Sequence, residues 1–121
     1  MHSLRFPKSV RLSRASEFAR LKREGVSFHG KLVVLSVLKA ESGTDRRIGL
    51  ITSRRVGGAV VRNRVRRRLR EIVRALLPRM HGGLRLVIIA RVAAAKAEFA
   101  ALQADVMSLA QRSAILEPAC S

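Results

Sequence analysis

The chain has 121 residues, 48% of them hydrophobic, with 25 lysines and arginines against 8 acids and a formal charge of +17. This apolar share excludes a disordered basic tail, and the charge demands a polyanionic partner. The lone cysteine, Cys120, excludes an internal disulfide and a thiolate metal cluster.

The length suggests one domain over residues 1–121, enough to bury one core. No apolar run approaches the ~18–20 residues of a membrane span, and no membrane partner is expected. The opening MHSLRFPKSVRL has no apolar signal-peptide segment. A cytoplasmic location in a reducing compartment is therefore expected.

Residues 1–12 read as a basic extended arm, with Pro7 disfavouring a helix and Arg5, Lys8 and Arg11 adding charge. Ser13 can cap a helix over Ala15 to Glu24 that stops at Gly25. Its apolar stripe is narrow, and Phe18 is by default a core residue. A short strand is expected near Val26 to Phe28. Leu32 to Leu38 reads as a strand covered on both faces, with Ser36 as its polar exception. Arg47 to Ser53 reads as a second strand, joined to it in an antiparallel hairpin across the Gly43 turn.

The run Ser53 to Leu77 reads as a turn at Val56-Gly57-Gly58 followed by one helix. Val61, Val65, Leu69, Ile72 and Leu76 fall on one stripe of that helix. Asn63, Arg67, Arg70 and Arg74 fall opposite, with Arg66 beside them. Arg62 and Arg64 flank the two faces, and Arg68 sits at the edge of the apolar stripe. Solvated helices usually interleave signs to gain i,i+4 pairs, whereas Glu71 is the sole acid in this run. Arginine also favours bidentate phosphate and base contacts, so this helix reads as a nucleic-acid surface. Charge alone leaves other uses open: a ribosomal or assembly protein, a DNA recognition helix, or a membrane-surface or calmodulin-target helix.

The helix ends before Pro78, and His81-Gly82-Gly83 forms a loop. Leu84 to Arg91 reads as a strand buried on both faces, reached by a parallel crossover. Ala93 to Gln111 reads as the last helix, with Phe99, Leu102, Val106 and Leu109 on one face. Residues 115–121 read as a frayed tail. The sum is an α+β sandwich with helices packed on a small mixed sheet.

A nuclease site needs a carboxylate cluster for metal or a histidine acid–base pair. Glu17, Glu24, Glu41, Asp45, Glu71, Glu98, Asp105 and Glu117 are scattered, with no metal-ligand spacing within one element. His2, His29 and His81 fall in expected loops or the arm. No catalytic and no metal-ligating residue is assigned.

The stretch SRRVGGAVVRNRVRRRLRE closely resembles the signature of the protein subunit of bacterial ribonuclease P. The matching positions are Arg54-Arg55-Val56-Gly57, Ala59-Val60-Val61, Arg62-Asn63-Arg64, Val65, Arg66 to Arg68, and Leu69-Arg70-Glu71. Gly58 departs mildly from a common Lys or Asn. Arg11-Leu12, Phe18, Gly25 and the Ile88 to Arg91 segment extend the likeness over most of the chain.

The resemblance implies a single-domain, two-layer αβββαβα fold on a mixed four-stranded sheet. It implies that Arg62, Asn63, Arg64, Arg66, Arg67 and Arg70 contact a catalytic RNA, with Arg54 and Arg55 in the same RNA-binding set. It also implies a cleft between the first helix and the sheet that holds the 5′ leader of precursor tRNA, with Phe18, Lys22, Val34, Ser36 and Arg91 assigned to it. Lys22 and Ser36 stand where many or some members have aromatic residues, which suggests a less stacking, more electrostatic cleft. The chemistry then belongs to the RNA. The protein alone binds no cofactor, Mg²⁺ acts through the RNA, and the protein is monomeric in a 1:1 ribonucleoprotein.

Overall fold

The computed structural model describes residues 15–39 and 46–116. The arm at 1–12, the capping Ser13, the Gly43 turn and residues 117–121 lie outside them. The elements run α1 (Ala15–Glu24), β1 (Val26–His29), β2 (Val33–Lys39), β3 (Arg46–Ile51), α2 (Ala59–Leu76), β4 (Leu84–Ala90) and α3 (Phe99–Arg112). Short 3-10 turns occupy Arg54–Val56, Leu77–Arg79 and Val92–Lys96. The order is αβββαβα on one mixed four-stranded sheet.

The strands lie in the order β1-β2-β4-β3. β1 pairs antiparallel with β2, β2 antiparallel with β4, and β3 parallel with β4. The expected hairpin between β2 and β3 is therefore corrected, because β4 lies between them. The reason is burial. Leu84, Leu86, Val87, Ile88 and Ala90 are all buried, so β4 needs cover on both faces and neighbours on both edges. β3 begins with the half-buried Arg46 and Arg47 and ends with the exposed Ile51, which suits an edge. The parallel crossover from β3 through α2 to β4 stands as read.

Adjacent strand residues face opposite ways, and the two faces of this sheet carry different helices. Leu84, Leu86, Ile88 and Ala90 join Val33, Leu35 and Val37 of β2 in the main core. Val65, Leu69, Ile72, Val73 and Leu76 of α2 pack there, with Leu102, Val106, Leu109 and Ala110 of α3. The stripe read from the arginine helix is thus its buried face. On the other side of the sheet, Val87 meets Leu21 of α1, with Phe18, Leu38 and Ile89 packed around them.

Two further expectations change. The last helix begins at Phe99 rather than Ala93, although the alanine-rich stretch favours a helix by propensity. Tertiary contacts override it: Arg64 donates to the Ala95 carbonyl at 3.1 Å and Arg68 to the Ala97 carbonyl at 3.0 Å. The frayed tail does not begin at 115, because Ile115 is buried and Leu116 bridges Met80.

Candidate nucleic-acid interface

Gly57 sets the approach to α2. Its φ is +154°, and a Cβ there would lie 2.9 Å from the Val61 side chain. Glycine alone fits this turn without strain. Gly58 then begins the helix with no side-chain cap, its carbonyl accepting from Arg62 N–H at 2.9 Å.

From that start the helix sorts its arginines into two groups. Asn63, Arg66, Arg67 and Arg70 line an open groove of about 360 Å³ on the outer face, with the exposed Val60 at its end. Arg66 donates to Asn63 Oδ1, which orients both side chains along the groove. Arg54 and Arg55 are exposed on the 3-10 turn that precedes the helix. The other group turns inward. Arg64 and Arg68 are half-buried and hold the carbonyls of Ala95 and Ala97. The Nε atoms of Arg62 and Arg64 are buried without a hydrogen-bond partner among the described residues. Sequence spacing placed Arg64 and Arg68 at the borders of the two faces but did not show what they hold.

A second concavity, of about 510 Å³, lies across the sheet from α2. α1 contributes Phe18, Leu21 and Lys22, and β2 contributes Val34 and Ser36. Four of the five residues assigned to the cleft therefore come together. Arg91 is not in its lining; its guanidinium donates to the Gly30 carbonyl at 2.9 Å. Phe18 is half-buried, packed on the Leu21–Val87 cluster with part of its surface open to the cleft.

The reading of the sequence missed Ser27 and His29 of β1, Ile51 of β3 and Val87 and Ile89 of β4. His29, expected in a loop, is the last residue of β1. The signal was the register. Ser27 stands opposite Ser36 and His29 opposite Val34, while Val87 and Ile89 flank the same two residues from β4. The Ser27 and Ser36 hydroxyls are 3.0 Å apart and share a hydrogen bond. Among the described residues the cleft thus has an apolar floor, a hydroxyl pair, and Lys22 and His29 as nitrogen-bearing side chains. Among the described residues, no three of His, Cys, Asp and Glu gather as a metal-binding group. No helix among them is long and apolar enough to cross a membrane.

The family model for ribonuclease P matches residues 6–114. The chain belongs to the ribonuclease P protein family. The ribonuclease P protein component of Symbiobacterium thermophilum is 41% identical over 110 residues, covering 91% of this chain and 96% of its own. That of Acidothermus cellulolyticus is 45% identical over 102 residues, covering 82% and 83%. The 2.0 Å ribonuclease P protein structure from Staphylococcus aureus has the same fold, with a TM-score of 0.84 at 21% identity over 91% of this chain and 100% of that one. The ribonuclease P protein of Thermotoga maritima gives 0.74 at 25% identity, over 84% and 96%. The family's αβββαβα arrangement is the arrangement found here.

Proposed function

We propose that this chain is the protein component of a ribonuclease P holoenzyme, which removes the 5′ leader from precursor tRNA by endonucleolytic cleavage. The observation that carries this reading is the pair of surfaces on opposite sides of one sheet. The outer face of α2, with Arg54 and Arg55, binds the catalytic RNA. The cleft under α1 takes the leader as a single strand.

The division of labour follows from the side chains. Guanidinium groups neutralise phosphates and release counterions, so they supply affinity and orientation. The cleft has aromatic, hydroxyl, ammonium and imidazole groups, which suit the bases and phosphates of an unpaired strand. The described residues of its lining, from Phe18 and Lys22 to Ser27, His29 and Ser36, are suited to holding a strand. The RNA performs the cleavage with its own Mg²⁺, and the protein acts as one copy beside one RNA in the cytoplasm. Its charge lowers repulsion between two large polyanions, which matters most at low salt and low Mg²⁺.

The test is cleavage of a precursor tRNA carrying a 5′ leader, at low Mg²⁺, with protein alone, RNA alone and both. Efficient cleavage by the pair only is the expected result. A pair no faster than RNA alone overturns the proposal in favour of a structural RNA-binding role.

A further inference from the structure

We infer that Asp105 is a positioning residue for the leader cleft, acting from α3 through the turn between β1 and β2; the inference rests on the leader-binding reading above. Asp105 lies on the far side of the sheet from the cleft and is not in its lining. Its carboxylate accepts from three successive backbone amides: Lys31 N–H at 3.2 Å to Oδ1, and Leu32 and Val33 N–H at 2.9 and 3.1 Å to Oδ2. Consecutive amides donating to one carboxylate bind it as they would a free anion, here supplied by the protein itself.

The same turn is gripped at its carbonyls. Arg91 donates from its side chain to the Gly30 carbonyl at 2.9 Å and from its backbone N–H to the Leu32 carbonyl at 2.8 Å. A Cβ at Gly30 would lie 2.4 Å from Asp105 Oδ2, so a side chain there has to displace the carboxylate from the turn. Glycine at 30 and aspartate at 105 therefore form one fitted unit.

What this unit fixes is β1. The strand is four residues long and, among the described residues, lies at the sheet edge with β2 as its strand partner. A short edge strand frays unless its ends are held. The turn begins directly after His29, and β1 places both Ser27 and His29 in the cleft wall. Ser27 must stay in register to share its hydrogen bond with Ser36. Releasing Asp105 frees the turn, lets β1 shift, and spoils the wall without touching the RNA-binding face of α2.

The experiment uses the holoenzyme reconstituted with ribonuclease P RNA and compares precursor tRNAs with a long leader and with a one-nucleotide leader. Variants are D105A, D105N, G30A and F18A, assayed below their melting temperatures. Asn keeps one acceptor oxygen and turns an amide group toward the remaining N–H, so it rescues in part. D105A and G30A are expected to raise KM for the long-leader substrate by roughly five- to tenfold, a part of what losing one stacked base costs. kcat, the short-leader KM and RNA affinity stay unchanged, and D105N falls between. If D105A does not fold, G30A and D105N carry the comparison. Loss of leader discrimination in F18A but not in D105A, G30A or D105N overturns the positioning role and leaves the cleft reading standing. Intact discrimination in F18A as well overturns both. A uniform fall in activity on both substrates overturns the positioning role in favour of a purely structural one.

Discussion

Arg64 places its Nη2 3.1 Å from the carbonyl oxygen of Ala95 and so ties the N-terminal part of α2 to the turn before α3. A residue of the Arg-Asn-Arg triplet thus contributes to the architecture of the protein. A charged donor on a partly buried carbonyl contributes about 1.5–3 kcal/mol. Arg64→Ala should lower unfolding free energy by roughly that amount in urea titrations. Arg67→Ala, on the outer face, should change it by less than about 0.5 kcal/mol and reduce the salt slope of RNA binding by about one. The reverse pattern would place Arg64 in the RNA surface and Arg67 in the fold.

Gly57 and Gly58 are neighbours with opposite requirements. Gly57→Ala meets both a positive φ and the Val61 side chain, and should cost about 1–3 kcal/mol. Gly58 has φ −70° and open space around its Cβ position. Gly58→Ala should cost no more than about 1 kcal/mol, as an ordinary change at an N-cap. Thermal melts of the two variants check the order.

Ala114 holds φ +56° just after the end of α3, and its amide bonds back to the Gln111 carbonyl at 3.2 Å. A left-handed backbone costs an L-residue about 1–2 kcal/mol, and glycine escapes most of it. Ala114→Gly should therefore stabilise the protein by about 0.5–1 kcal/mol after the extra chain entropy of glycine is counted. An unchanged or lowered melting temperature would contradict this account of the helix end.

Lys22 is exposed at the edge of the cleft, one turn after Phe18. Lys22→Phe should add a stacking surface worth about 1–3 kcal/mol per base. Binding of long-leader precursor should tighten, binding of mature tRNA should not, and the salt dependence of leader binding should weaken. Equal tightening for both RNAs would mean that residue 22 does not face the leader.

The +17 charge makes self-repulsion a term in the stability of the free protein. Sulfate or phosphate should raise the melting temperature more than sodium chloride at equal ionic strength, because a bound anion adds linkage to screening. Identical shifts would reduce the effect to screening alone.

Much of this was legible in the residues. The two-faced α2 could be read because helical spacing separates Val65, Leu69 and Ile72 from Asn63, Arg67 and Arg70 without ambiguity. Phe18, Lys22, Val34 and Ser36 came from the family resemblance, and they do meet in one cleft. The neighbour of β2 was not legible, since alternation says which face a residue takes and not which strand lies beside it. His29 and Ser27 were lost with it, being visible only through register. The start of α3 was misread because local propensity has no knowledge of Arg64 and Arg68 arriving from another helix.

The place of β4 between β2 and β3 has a consequence for biosynthesis. The chain leaves the ribosome from its N-terminus, so β2 and β3 emerge well before the strand that joins them. Until residues 84–90 are available, each lacks its central partner, and the apolar face of the already translated α2 lacks part of its floor. Closure of the sheet must wait until Ala90 of the 121 residues has been made, and its non-local pairings make it slow to nucleate. During that interval the arginine-rich segment 59–76 has not yet gained the packing that holds it as a helix.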